Sequence, residues 1–192
     1  MHPDPLTRSF ELLALGGVEI PLAFEERLKR FLAEVRQFNT ALSLVSERAL
    51  EELEHVHIPD SLSLAAPLLR VADEKAPLAD LGSGGGFPAI PLAMLFPARQ
   101  CMLVERSTKK AGFLEAVCRR LLMPHVQVVC GEFPRSVALD GVEVITARAV
   151  EKAASLHKSL RMQMPPGACF LNQSGQPFAP GEMFHVEQWE DA

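Results

Sequence analysis

A chain of 192 residues is long enough to bury one α/β core with a small additional element. With 48% apolar and 22% charged residues it falls outside the disordered class. A formal net charge of -5 excludes a surface that binds nucleic acid everywhere, so any RNA contact must be a local basic patch.

Four scattered cysteines, Cys101, Cys118, Cys130 and Cys169, none at C-x-x-C spacing, read as reduced thiols packed in apolar surroundings. The opening MHPDPLTRSF has no basic-then-apolar leader pattern. No apolar run approaches ~18 residues, so the expectation is a cytoplasmic chain with no membrane contact.

Residues 1–70 are expected to be helical. Phe24, Leu28, Phe31, Leu32, Val35 and Phe38 form one apolar stripe at helical spacing, with Glu25, Glu26, Lys29, Arg30 and Glu34 off it. Pro21 suits the first turn of that helix. A second helix is expected from Ser46 to about His55, and a third from Pro59 to Leu69. The pattern changes at Lys75–Ala76–Pro77. Strands are expected at Leu78–Leu81, Cys101–Glu105, Val126–Cys130, Val142–Ala147 and Ala168–Asn172, with helices at 88–96, 107–122 and 151–163 between them. Ser107 reads as the cap of the second of these helices, and Pro165–Pro166–Gly167 ends the third.

This alternation implies βαβ units and a doubly wound parallel sheet. The chain divides into an N-terminal helical cap, 1–70, and a Rossmann-like core, 71–192. Ligands on such sheets bind beyond the carboxyl ends of the strands. The loops after Leu81, Glu105, Cys130 and Ala147 therefore surround one expected site.

The segment LADLGSGGGFPAIPLA, residues 78–93, carries the chemistry. A glycine-rich turn lets backbone approach a ligand where a side chain would collide, and the following helix start directs free N–H groups at it. The dinucleotide pattern G-x-G-x-x-G fails here, because Phe87 stands where its third glycine belongs. What remains, Gly82-x-Gly84-x-Gly86, is the spacing associated with S-adenosylmethionine-dependent methyltransferases. Asp80 precedes the turn and Ser83 lies within it. Glu105 ends the second strand, where its two oxygens can accept both ribose hydroxyls. Glu132 and Phe133 follow the third strand, where they can meet the adenine.

Further segments resemble a known family, the bacterial small-subunit ribosomal RNA methyltransferase G family (glucose-inhibited division protein B). Phe38–Asn39 resembles the opening of its W/F-N-x-x-x-N-L-T segment, and His57–Ile58–Pro59–Asp60–Ser61–Leu62 its R-H-I-x-D-S-L segment. Asp80–Pro88 resembles its cofactor loop. Glu105–Arg106–Ser107–Thr108–Lys109–Lys110 with Phe113–Leu114 resembles E-S-x-x-K-K/R-x-x-F-L, and Arg148–Ala149–Val150 resembles S-R-A. The resemblance spans about residues 20–176.

It implies a class I S-adenosylmethionine methyltransferase fold and N7-methylation of a guanine in 16S ribosomal RNA. The implied partner is that RNA or the small ribosomal subunit, with the enzyme as a monomer. Asp80, Gly82, Ser83, Gly84, Gly86, Phe87, Glu105, Glu132 and Phe133 would border the cofactor. Arg148 would do so too, and would assist catalysis. Arg106, Lys109 and Lys110 would contact RNA phosphates, or else form a solvated helix face.

The chain also departs from the family pattern. Ser43 replaces the second Asn of N-L-T, Val56 replaces the Arg before His57, and Ser174–Gly175 replaces Lys-Gly after the fifth strand. The substrate side thus reads as thinned, and a divergent homologue that binds the cofactor without methylating RNA is the alternative. The short C-terminus leaves little room for an antiparallel hairpin, so an edge strand is expected to be missing or supplied by a partner. His55, His57 and Asp60 read as packed or hydrogen-bonded groups, not metal ligands.

Overall fold

The computed structural model describes residues 5–148, 159–160, 162–173 and 185–188. Helices α1 (Pro5–Leu15), α2 (Phe24–Leu42), α3 (Glu47–Glu51), α4 (Ile58–Ser63) and α5 (Ala65–Val71) form the N-terminal part. Then follow β1 (Leu78–Leu81), α6 (Ala89–Leu95), β2 (Cys101–Glu105), α7 (Thr108–Arg120), β3 (Val126–Cys130), β4 (Val144–Arg148), β5 (Cys169–Gln173) and β6 (His185–Gln188). The expected helix at 151–163 lies mostly outside the described residues.

The strand order is β3-β2-β1-β4-β5-β6. The first five strands are parallel, and β6 runs antiparallel to β5. The chain winds outward from β1 to β3 and returns to the other side of β1 with β4. That reversal makes the β1–β4 junction the switch point. Where little room for an antiparallel hairpin is expected, the described residues hold one antiparallel strand, β6, beside β5.

Strand residues alternate between two core clusters. Leu78, Cys101, Leu103, Val144 and Leu171 join the cluster formed with α1, α2 and α4–α7, while Ala79, Leu81, Val104, Ile145, Ala147 and Phe170 join the other. By the same period of two, Asp80, Glu105, Thr146 and Arg148 belong to the first face, beneath the helices. Phe31, Leu32 and Val35 of α2 are buried in that cluster together with Phe87, Ile90 and Leu114. Fully burying one such side chain stabilises by about 1.5–3 kcal/mol. The helical N-terminus and the sheet therefore share one continuous core.

Several boundaries differ from expectation. Pro21 precedes α2, and its carbonyl accepts the Phe24 N–H in a turn. The expected second helix is the short α3, capped by Ser46, followed by a π-helical turn at Leu53–His57. The third divides into α4 and α5. Cys101, Cys118 and Cys169 are buried, but Cys130 is exposed, because it ends the edge strand β3. No described helix is long and apolar enough to cross a membrane.

Candidate active site

The glycine turn joins β1 to α6. Gly82 and Ser83 both donate N–H to the Val104 carbonyl, at 2.9 and 3.1 Å, which continues the β1–β2 ladder past the end of β1. Ser83 is buried, and its Oγ donates to the Asp80 carbonyl at 3.1 Å. Gly82, Gly84 and Gly86 have φ of +80°, +51° and +94°. Backbones of this kind favour glycine.

The glycines nevertheless differ in what they face. A Cβ on Gly84 would meet nothing nearer than a backbone oxygen at 3.7 Å. One on Gly86 would lie 2.8 Å from Ile90 Cγ1 and 3.2 Å from Phe31 Cζ. Gly84 therefore borders open space, while Gly86 lets α2 and α6 close over the turn. The sequence placed both against the cofactor; Gly86 faces the core.

Glu105 links this turn to the next loop. Its Oε2 accepts the Gly84 N–H at 2.8 Å and its Oε1 accepts the Ser107 N–H at 2.7 Å. Each carboxylate oxygen offers two acceptor positions, so one on each remains for a ligand's hydroxyl. The Glu105 carbonyl also accepts the Gly131 N–H at 3.0 Å, tying in the loop after β3.

Asp80 is 1% exposed and lies opposite Thr146, whose Oγ1 donates to Asp80 Oδ1 at 2.7 Å. Burial pushes the Asp80 carboxyl up to about 6, against the Thr146 hydrogen bond and the positive charge of Arg148.

Arg148 ends β4 on the same face. Its Nη2 donates to His57 Nδ1 and lies 3.4 Å from Asp60 Oδ2. Its side chain is 18% exposed, against 49% for Asp60. Burial lowers the Arg148 pKa, opposed by Asp60 and Asp80. His57 is half-buried, with its ring 5.8 Å from that of Phe87. Burial and the Arg148 charge hold its pKa below the usual value, opposed by Asp60 and Glu52. The expected hydrogen-bonded role of His57 and Asp60 is thus met, and Arg148 is the partner that sequence reasoning missed. The signal was present as His57–Ile58–Pro59–Asp60, but nothing local connects it to β4.

The other expected residues lie as follows. Phe87 is buried, 5.0 Å from Phe31 ring to ring, and forms the wall behind the turn. Glu132 is exposed and pairs with Arg135 at 3.4 Å. Phe133 is half-buried against the second core cluster, on the opposite face from Asp80. Arg106 and Lys109 are exposed and Lys110 is half-buried at the start of α7, where Ser107 Oγ accepts the Lys110 N–H. Ala149, Val150 and Ser174–Gly175 lie outside the described residues. Among the described residues no group of His, Cys, Asp or Glu is arranged to hold a metal. A hollow of about 610 Å³ between α7 and β3 is lined by none of the expected site residues.

Ser43 is the C-cap of α2, at φ +48°, with its N–H on the Asn39 carbonyl. Asn39 is buried, and its Oδ1 accepts the Val45 N–H at 2.9 Å. The departure from Asn at position 43 is therefore a change at a left-handed helix cap, a position that Asn and Gly favour on backbone grounds.

Residues 24–178 match the family described as rRNA small subunit methyltransferase G. A relative from Leptothrix cholodnii, named ribosomal RNA small subunit methyltransferase G, is 36% identical over 98% of this chain and 89% of its own length. A relative of the same name from Sorangium cellulosum is 37% identical over 86% of this chain and 67% of its own length. Among solved structures, a putative S-adenosyl-L-methionine-dependent methyltransferase from Methanococcus maripaludis superposes with a TM-score of 0.54 at 17% identity. It covers 65% of this chain and 60% of that one. Coclaurine N-methyltransferase gives 0.54 at 12% identity, over 87% of this chain and 57% of that one. These two show that the fold is shared.

Proposed function

From the premise that the chain belongs to the rRNA small subunit methyltransferase G family, we propose that it methylates N7 of a guanine in 16S ribosomal RNA, in the cytoplasm, using S-adenosylmethionine. The substrate is the free RNA or the small ribosomal subunit. The enzyme of this proposal acts as a monomer.

The single observation that carries the cofactor side is the Glu105 carboxylate, held by Gly84 and Ser107 beside the open space at Gly84. A ligand with vicinal hydroxyls fits this donor set, since one acceptor position on each oxygen remains. S-adenosylmethionine, when bound, supplies an electrophilic methyl group on a sulfonium. Gly82, Ser83, Gly84 and Glu105 would hold it, with Asp80 beneath the turn and Glu132 and Phe133 at the rim.

Guanine N7 carries an in-plane lone pair and no proton, so no side chain has to abstract one. The chain's own residues then act by orientation and electrostatics. Arg148, largely removed from water, is a cation whose charge reaches Asp80 on the helix-covered face. A desolvated charge acts more strongly than a solvated one. Arg106, Lys109 and Lys110 are available to RNA phosphates.

The alternative, a homologue that binds cofactor without transferring methyl groups, is motivated by Ser43, Val56 and Ser174; of these, Ser43 also caps α2. The test is a titration with S-adenosylmethionine followed by radiolabel transfer to unmethylated small ribosomal subunits. Binding with transfer is expected. Binding without transfer would establish the alternative.

A further inference from the structure

We infer that His57 and Asp60 are positioning residues that hold the Arg148 guanidinium at the mouth of the site, so that methyl transfer, and not cofactor affinity, depends on them. The inference rests on the methyltransferase reading above.

Three observations carry it. Arg148 lies two residues beyond Thr146 on β4, on the same face as Asp80, at the switch point. Its Nη2 meets His57 Nδ1 and Asp60 Oδ2, groups 91 and 88 positions earlier in the chain, so the contact clamps the N-terminal helices to the sheet's carboxyl edge. The guanidinium is largely buried while the Asp60 carboxylate is half wet. An exposed ion pair of this length would contribute little. Here a second acceptor, the imidazole, fixes the planar fork in one orientation.

The clamp demands a neutral imidazole. Nδ1 accepts from Arg148 only when it carries no proton, and an imidazolium offers only donors. The groups facing the ring are Arg148 from β4, Asp60 from α4, Glu52 before the π-helical turn, and the uncharged Phe87 side chain. Burial and Arg148 outweigh the two carboxylates, so the accepting form prevails at neutral pH. It is lost as pH falls through the depressed pKa. Protonation then replaces an acceptor with a like charge and releases the guanidinium.

The test uses the full chain and unmethylated small ribosomal subunits, with S-adenosylmethionine affinity read separately by calorimetry. His57→Leu should lower kcat at least about tenfold and leave the cofactor Kd within about threefold. Asp60→Ala should do the same to a smaller degree. His57→Gln, whose amide oxygen accepts but does not titrate, should restore kcat to within about threefold of wild type. It should also flatten the acid limb of the pH–rate profile. A kcat for His57→Leu within twofold of wild type would overturn the clamp, as would a His57→Gln variant no better than His57→Leu. A wild-type protein that transfers no label would remove the functional reading instead. The clamp then stands or falls on NMR titration of the His57 ring: Arg148→Ala should raise its pKa, and an unchanged titration overturns the contact.

Discussion

Glu105 and Asp80 show two ways a carboxylate is kept at one site. Glu105 is satisfied by two backbone N–H groups and ties three loops together. Glu105→Ala should weaken S-adenosylmethionine binding by about 1–3 kcal/mol, the scale of lost charge-assisted hydrogen bonds. An unchanged Kd would refute its place at the ribose. Asp80 is the opposite case, a carboxyl raised to about 6 chiefly by burial. A raised folded pKa means the folded state is favoured at low pH, and that advantage is lost as pH rises from about 4 through 6. Ionised Asp80 thus costs the ligand-free fold on the order of 3 kcal/mol at neutral pH. Asp80→Asn should raise the thermal midpoint at pH 7.5, and the gain should shrink towards zero by pH 4. A gain independent of pH would show that ionisation is not its cause. Glu105 and Gly84 were legible because a strand end and a glycine turn are local signals. The Arg148 contact was not, since it joins residues that only the folded topology brings together.

Among elements, α2 and α7 were legible from their apolar stripes, and β1, β2 and β3 from short apolar runs ending in turns. The region from Ser46 to Leu69 was not, because its breaks are set by tertiary contacts: the π-helical turn ends at His57, the residue that meets Arg148. The end of α2 carries a backbone constraint that the motif comparison alone does not display. Ser43, where the family pattern has Asn, is the left-handed cap of α2. Ser43→Gly should stabilise the protein by about 0.5–1 kcal/mol in urea unfolding, with methyl transfer unchanged. A fall in activity without a change in stability would return the position to the substrate side. Gly86 gives the converse. With φ at +94° and Ile90 Cγ1 in the way, Gly86→Ala should destabilise by about 1–3 kcal/mol.

At the scale of the molecule, a change of secondary-structure type near residue 70 does not mark a gap in packing. Phe31 of α2 is fully buried, contacts Phe87, and lies against Gly86 at the back of the glycine turn. The N-terminal helices and the sheet should therefore unfold together, because neither half keeps its apolar face covered alone. Phe31→Ala removes a side chain from that shared layer and should cost about 3–5 kcal/mol. The loss should appear equally in amide exchange of Leu28–Leu32 in α2 and of Ala79–Leu81 in β1, which share the global opening of a single cooperative unit. Faster exchange confined to α2 would mean that the helices detach as a separate unit. The sheet would then carry the glycine turn without them, and the His57–Arg148 contact would become a hinge between two bodies. Equal loss leaves it a fixed joint within one.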